Sequence, residues 1–192
     1  MGNSCFSPDN VVIKSIDHVW INYNITSTNC FTLNDKYTIC RVVDIYDGDT
    51  CTIIIPLFDK YYKFIVRLAE IDTCELTSKS SVNKELAYKA RMRLFNFVTN
   101  KNLDLYVSRK KMKDELNDNI YLIHILCGEF DKYGRLLGWL FPLKYITTPT
   151  MNDISIKSFN HKLINDGYAS YYNGGTKLTE DEQLQHFELS NS

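Results

Sequence analysis

Three short stretches gather side chains able to act on phosphate esters: Asp47-Gly48-Asp49-Thr50, Arg67-Leu68-Ala69-Glu70-Ile71-Asp72-Thr73-Cys74-Glu75, and Asp131-Lys132-Tyr133-Gly134-Arg135. Asp49 and Asp72 come from separate stretches and offer hard carboxylate oxygens to one cation, the donor type calcium takes when water completes its shell. Arg67 closes an apolar run, so its guanidinium sits at a strand end, where it can grip phosphate oxygens as a fork. A carboxylate beside a metal can orient or deprotonate water. Arg135 follows a Tyr-Gly turn and adds a second fixed cation. Each stretch alone has a plain reading: Asp-Gly is a common hairpin turn, Arg67 with a nearby acid is an ordinary surface ion pair, and Tyr133-Gly134 is a turn. Together they supply what phosphodiester hydrolysis requires, namely a divalent ion, a carboxylate to prepare water and cations for the charged phosphorus centre.

The elements that must position these residues follow from the pattern around them. Tyr37 to Tyr46, Cys51 to Ile55 and Tyr61 to Leu68 are rich in β-branched and aromatic residues and read as strands. Asp47-Gly48-Asp49 supplies the first turn and Pro56 to Lys60 the second. Val82 to Asn100 reads as one long helix, because Leu86, Ala90, Leu94 and Phe97 recur at spacings of three and four. Leu103 to Val107, Ile120 to Cys127 and Leu136 to Phe141 read as further strands, with the charged Ser108 to Asn119 as a hairpin tip. Ser158 to Asp166 reads as a short helix stopped by Gly167. This is an α+β order, compatible with a five-stranded, partly open barrel. Residues 1–36 form a polar lead-in, 37–173 the domain, and 174–192 a loosely held polar tail.

Bulk properties narrow the partners. A chain of 192 residues with 44% hydrophobic content is long enough for one compact core. With 22 basic and 23 acidic residues the formal charge is -1, so affinity for a polyanion must come from local clusters. Six cysteines show no C-x-x-C spacing, which excludes the usual zinc and thioredoxin-like motifs and suits reduced thiols in an intracellular protein. Asp9, Lys14, Asp17 and His18 break up any apolar core of a secretory signal. Met1-Gly2-Asn3-Ser4-Cys5 resembles an N-myristoylation start with a palmitate-accepting cysteine, and two chains are what peripheral membrane anchoring needs. Phe6 stands where Ser or Thr is expected, so an unmodified Gly2 and Cys5 remain the alternative.

The three stretches in order resemble the staphylococcal nuclease family, whose pattern runs D-G-D-T, R-L-x-x-(I/V)-D-T-P-E and D-(K/R)-Y-G-R. Lys162 to Ala169, with Asn160 before it, resembles the L-(V/I)-x-x-G-(L/Y)-A segment that ends that family's core. The resemblance covers residues 37 to 172. It implies a five-stranded barrel of the oligonucleotide-binding type (OB-fold) with two or three helices. It also implies a calcium-dependent nuclease that cuts DNA or RNA, single strands preferred, and leaves 3′-phosphate ends.

Carried over by position, Asp49 and Asp72 bind Ca2+ through carboxylates and Thr73 through its carbonyl. Glu75 is the general base, and Arg67 and Arg135 hold the scissile phosphate. Lys132 and Tyr133 contact the neighbouring phosphate, and Tyr171 or Tyr172 stacks on a base. Cys74 replaces the family proline, which predicts a less rigid loop with its ligands kept. The stretch before Asp131 and residues Pro142 to Lys157 read as insertions, and the long C-terminal helix of the bacterial enzyme reads as shortened or absent. Arg109, Lys110, Lys111 and Lys113 lie in the first insertion, where they either track a phosphate backbone or form a solvated charged loop. The alternative to an enzyme is a non-catalytic module that binds nucleic acid or protein, or one whose lipid anchor is its main feature.

Overall fold

The computed structural model describes residues 19–190. Gly2 and Cys5, the lipidation candidates, lie outside them. Contacts divide the chain into two units, Met1–Thr32 and Leu33–Ser192. In the first, the Asn24 side chain accepts from the amides of Thr26 and Ser27 and closes a local turn.

The second unit is built on five strands, β1 (Tyr37–Ile45), β2 (Thr50–Leu57), β3 (Lys60–Leu68), β5 (Leu122–Phe130) and β6 (Leu136–Phe141). They close into a barrel in the order β1-β2-β3-β6-β5, antiparallel throughout except for β3 against β6. Period-two alternation decides what fills it: Cys51, Ile53 and Ile55 are buried while Thr52 and Ile54 between them are half-buried. The β2–β3 turn is tighter than Pro56 to Lys60 suggests. Phe58 and Asp59 form it, both in the left-handed region at φ 50 and 59, as a two-residue hairpin with right-handed strand twist requires.

Helix α1 (Ser81–Thr99) starts at Ser80, whose side chain accepts from the Asn83 amide, and ends at a left-handed Asn100. Leu86, Ala90, Leu94 and Val98 recur every four residues and are buried. Phe97 is only partly buried and stacks on Phe159 at 5.2 Å between ring centroids.

Helix α2 (Arg109–Asp118) replaces the expected hairpin tip, and Leu103 to Val107 is a loop instead of a strand. Only Met112 and Leu116 carry the apolar period of α2, but both are fully buried. Arg109 forks onto Asp44 of β1 at 2.6 and 3.2 Å, and Asn117 donates to the Val43 carbonyl at 2.9 Å. Arg109 is thus a structural ion pair rather than a free cation.

Helix α3 (Met151–Lys157) opens with a capping box between Thr150 and Asp153 and buries Ile154 against Leu126 and Phe141. Helix α4 (Phe159–Asn165) follows, and the two-stranded β4 (Ile71–Asp72) and β7 (Ser170–Tyr171) pair as a small second sheet. The stretch expected to be a loose tail carries α5 (Glu180–Ser190), whose Leu184 and Phe187 pack on Cys74, Leu86 and Ala87. Five helices are therefore present in the second unit, against the two or three expected. The five cysteines among them are free thiols, and no helix there is long and apolar enough to cross a membrane.

Candidate active site

The β1–β2 turn carries Asp47 and Asp49 to the barrel rim. Asp47 accepts from the Asp49 amide at 3.1 Å, which fixes the turn. Gly48 lies so close to α1 that a Cβ there would stand 2.5 Å from Ala90 Cβ and 2.9 Å from Thr73 Cγ2. Only glycine permits this approach.

Strand pairing brings the first two stretches together. Thr50 is opposite Arg67, and the Leu68 amide donates to the Asp49 carbonyl at 2.7 Å. Arg67 then spans both aspartates, Nη1 at 2.5 Å from Asp49 Oδ2 and Nη2 at 2.7 Å from Asp72 Oδ1. The amide and hydroxyl of Thr73 also reach Asp49 Oδ2, at 3.0 and 3.1 Å. Asp49, Arg67, Asp72 and Thr73 are all buried.

Burial and crowding raise the carboxylates. Burial, then the neighbouring charge of Asp47, pushes Asp49 up to about 6 against the opposing pull of Arg67. Burial likewise raises Asp47 and Asp72.

Glu75 is more exposed, and its partner was not foreseen from the sequence. Lys177 Nζ lies 2.8 Å from Asp72 Oδ1 and 3.0 Å from Glu75 Oε1. Gln183 Nε2 approaches Asp72 Oδ2 at 3.4 Å. The segment that carries both is anchored where Asn83 Nδ2 donates to the Glu180 carbonyl at 2.7 Å. Cys74 is part of that anchorage: buried in the cluster with Phe187 and Leu184, its thiol is pushed up to about 11 by burial. Packing on two helices thus constrains the loop from which proline is missing.

The third stretch stands apart from the acids. Arg135 Nε binds Asp131 Oδ2 at 2.7 Å, and the same carboxylate accepts from the amides of Tyr133 and Arg135. Gly134, at φ 78, makes that turn. Arg67, Arg135, Lys132, Tyr133 and Tyr172 line one cavity of about 510 Å³. Tyr171 does not join them; its ring meets His161 edge-on at 5.4 Å.

Among the described residues no three His, Cys, Asp or Glu side chains are gathered closely enough to hold a metal ion. The donor set still suits a hard dication. Asp47, Asp49, Asp72 and Glu75 bring four carboxylates against two cations, Arg67 and Lys177, a deficit that one divalent ion matches.

A closed five-stranded barrel accompanied by helices defines an α+β protein of the OB-fold type. The family model for staphylococcal nuclease homologues matches residues 65–190, and the chain belongs to that family. The family is one of nucleases, proteins that act on nucleic acid. The match begins within β3, so Asp47 and Asp49 precede it and join the site through strand pairing. It also takes in α5. No curated protein sequence matches the chain.

Proposed function

We propose that the protein is a calcium-dependent nuclease that hydrolyses single-stranded DNA or RNA to 3′-phosphate ends. The observation that carries this reading is Arg67, buried between the carboxylates of Asp49 and Asp72 and lining the same cavity as Arg135.

Calcium held by the Asp49 and Asp72 carboxylates and the Thr73 carbonyl would neutralise phosphate charge. Arg67 and Arg135 bind the non-bridging oxygens and stabilise the charge that grows on them. Glu75, the most exposed of the acids, takes a proton from water. The water oxygen bonds to phosphorus, the bond to the 5′ oxygen breaks, and that oxygen leaves with a proton as a 5′-hydroxyl. Lys132 and Tyr133, exposed beside Arg135, hold the next phosphate, and Tyr172 offers a ring for a base.

Labelled single strands incubated with calcium, magnesium or chelator test the reading. Calcium-dependent products bearing 3′-phosphates are expected, and cleavage that persists in chelator overturns it. One observation favours a binding-only module instead: Arg67 and Lys177 already occupy the carboxylates. Tight oligonucleotide binding without turnover in calcium would select that alternative.

The N-terminal reading also stands as a proposal: an intracellular protein held at membranes by acylation of Gly2 and Cys5. Mass spectrometry of the protein from its own host tests it, and an unmodified Gly2 removes it.

A further inference from the structure

Glu70 lies between the phosphate-binding Arg67 and the carboxylate of Asp72, in the turn from β3 to β4. Its backbone is left-handed, φ 64, a conformation that strains a residue carrying a side chain. The side chain is not released to solvent. Oε2 accepts from Trp139 Nε1 at 3.1 Å and faces His161 Nε2 at 3.3 Å. His161 is buried, and its Nδ1 lies 3.4 Å from the Tyr171 hydroxyl. A hydrogen on Nε2, with Nδ1 accepting from Tyr171, satisfies both contacts. Both bonds to the glutamate fall on Oε2, so Oε1 is the oxygen left for a ligand.

Glu70 lines the cavity of about 510 Å³ described above. Arg67 and Arg135 mark the phosphate end, and Trp139, Leu137 and Tyr172 supply apolar and aromatic walls. The volume is that of a site for one small ligand, and the walls are those on which unstacked bases lie.

We infer that Glu70 sets the base preference of this nucleotide site and that it selects guanine. The inference rests on the nuclease reading and adds a substrate preference to it. An ionised carboxylate only accepts hydrogen bonds. Guanine presents two neighbouring donors on its Watson–Crick edge, N1–H and the N2 amine. Adenine and cytosine place a ring acceptor beside their amine, and uracil and thymine flank their single N–H with two carbonyls, which a carboxylate repels. Two tethers on Oε2 hold Glu70 in position before the base arrives, so little side-chain entropy is lost on binding.

Titration of the full chain with the 3′,5′-bisphosphates of guanosine, adenosine, cytidine and uridine, followed by tryptophan fluorescence, tests this without turnover. The guanosine compound should bind roughly tenfold tighter than the uridine compound, the scale of one well-placed base contact. Glu70→Gln should bring the two close to parity, chiefly by weakening guanosine binding. Glu70→Gly, which suits the left-handed backbone, should do the same and serves if the glutamine variant folds poorly. End-mapping of a cleaved mixed-sequence single strand should show guanine enrichment in the wild type that disappears in both variants. Equal affinity for all four compounds, or a guanine preference that survives both substitutions, overturns the inference and leaves the nuclease reading intact. Failure of every bisphosphate to bind, together with no cleavage in calcium, overturns both.

Discussion

The ammonium of Lys177 sits 2.8 Å from Asp72 Oδ1, on the same oxygen that receives Arg67. Its second partner is Glu75, so one lysine from the C-terminal segment joins a proposed metal ligand to the proposed base. A divalent ion entering here must meet that positive charge or displace it. Replacing Lys177 with methionine should therefore tighten calcium binding. The side chain is about half exposed, which limits the effect to about 1 kcal/mol, or roughly fivefold in affinity. Isothermal titration of both proteins with calcium checks it, and weaker binding by the variant would show that Lys177 supports the ion.

Asp49 should make the cation-free protein lose stability as pH rises. Its pKa in the folded state, about 6, lies above the ordinary value of 3.8. Below pH 4 it is protonated in both folded and unfolded chains and costs nothing. Between about 4 and 6 the unfolded chain gives up this proton while the folded chain keeps it, so folding is progressively disfavoured. Above 6 the penalty is constant. Relative to Asp49→Asn, the wild type should lose about 1–3 kcal/mol across this window and then hold level. Denaturant unfolding in chelator from pH 4 to 8 measures the difference, and a flat difference would refute it.

Glu75→Gln separates chemistry from binding. Glutamine keeps the shape but accepts no proton, so cleavage in calcium should fall by about 10² to 10⁴. Affinity for a single strand should scarcely change, because Glu75 lies apart from the cavity lined by Arg67, Arg135 and Lys132. Single-turnover cleavage and filter binding on one oligonucleotide give the two numbers. Equal losses in both would assign Glu75 to binding.

Gly48→Ala tests how the rim is assembled. The added methyl would stand 2.5 Å from the Ala90 side chain, which is fully buried in α1 and cannot swing aside. The turn or the helix must move, at roughly 1–3 kcal/mol. Thermal unfolding should show the loss, and calcium affinity should fall as well, since Asp49 and Thr73 are fixed by this approach.

Much of this architecture was legible because it rests on local pattern. The barrel strands alternate or run apolar, and the boundaries of β6 agree with the expected Leu136 to Phe141. Helix α2 was hidden because Met112 and Leu116 are its only buried apolar residues among ten, and seven of the others are charged. The gathering of Asp49, Arg67 and Asp72 could be expected from two separate stretches, and the structure brings the three side chains together. Lys177 was not, since nothing in Gly174-Gly175-Thr176-Lys177 signals a partner about a hundred residues earlier in the chain. Glu70 lay inside a motif already noted, but its left-handed backbone and its bonds to Trp139 and His161 exist only once β6 and α4 are packed.

Asn160 binds the far side of the site to the barrel. It is fully buried on α4, where its Oδ1 accepts from the Leu140 amide at 3.1 Å. Its Nδ2 donates to the carbonyls of Ala69 and Gly138, at 2.9 and 3.0 Å. One amide thus satisfies three backbone groups of β6 and of the turn that leads from Arg67 to Asp72. Asn160→Ala leaves the Leu140 amide and the Ala69 carbonyl without this partner, while the Gly138 carbonyl keeps the Ala69 amide at 2.9 Å; the cost should be about 2–4 kcal/mol. Asn160→Asp can still accept from Leu140 but sets a carboxylate against two carbonyls, so it should not rescue stability above pH 5. Because Ala69 precedes Glu70, either variant should loosen the cavity wall before it unfolds the barrel. Hydrogen exchange should therefore report faster opening at residues 69–72 than at β2. Uniform acceleration across the barrel would mean that Asn160 supports the whole fold rather than this edge of the site.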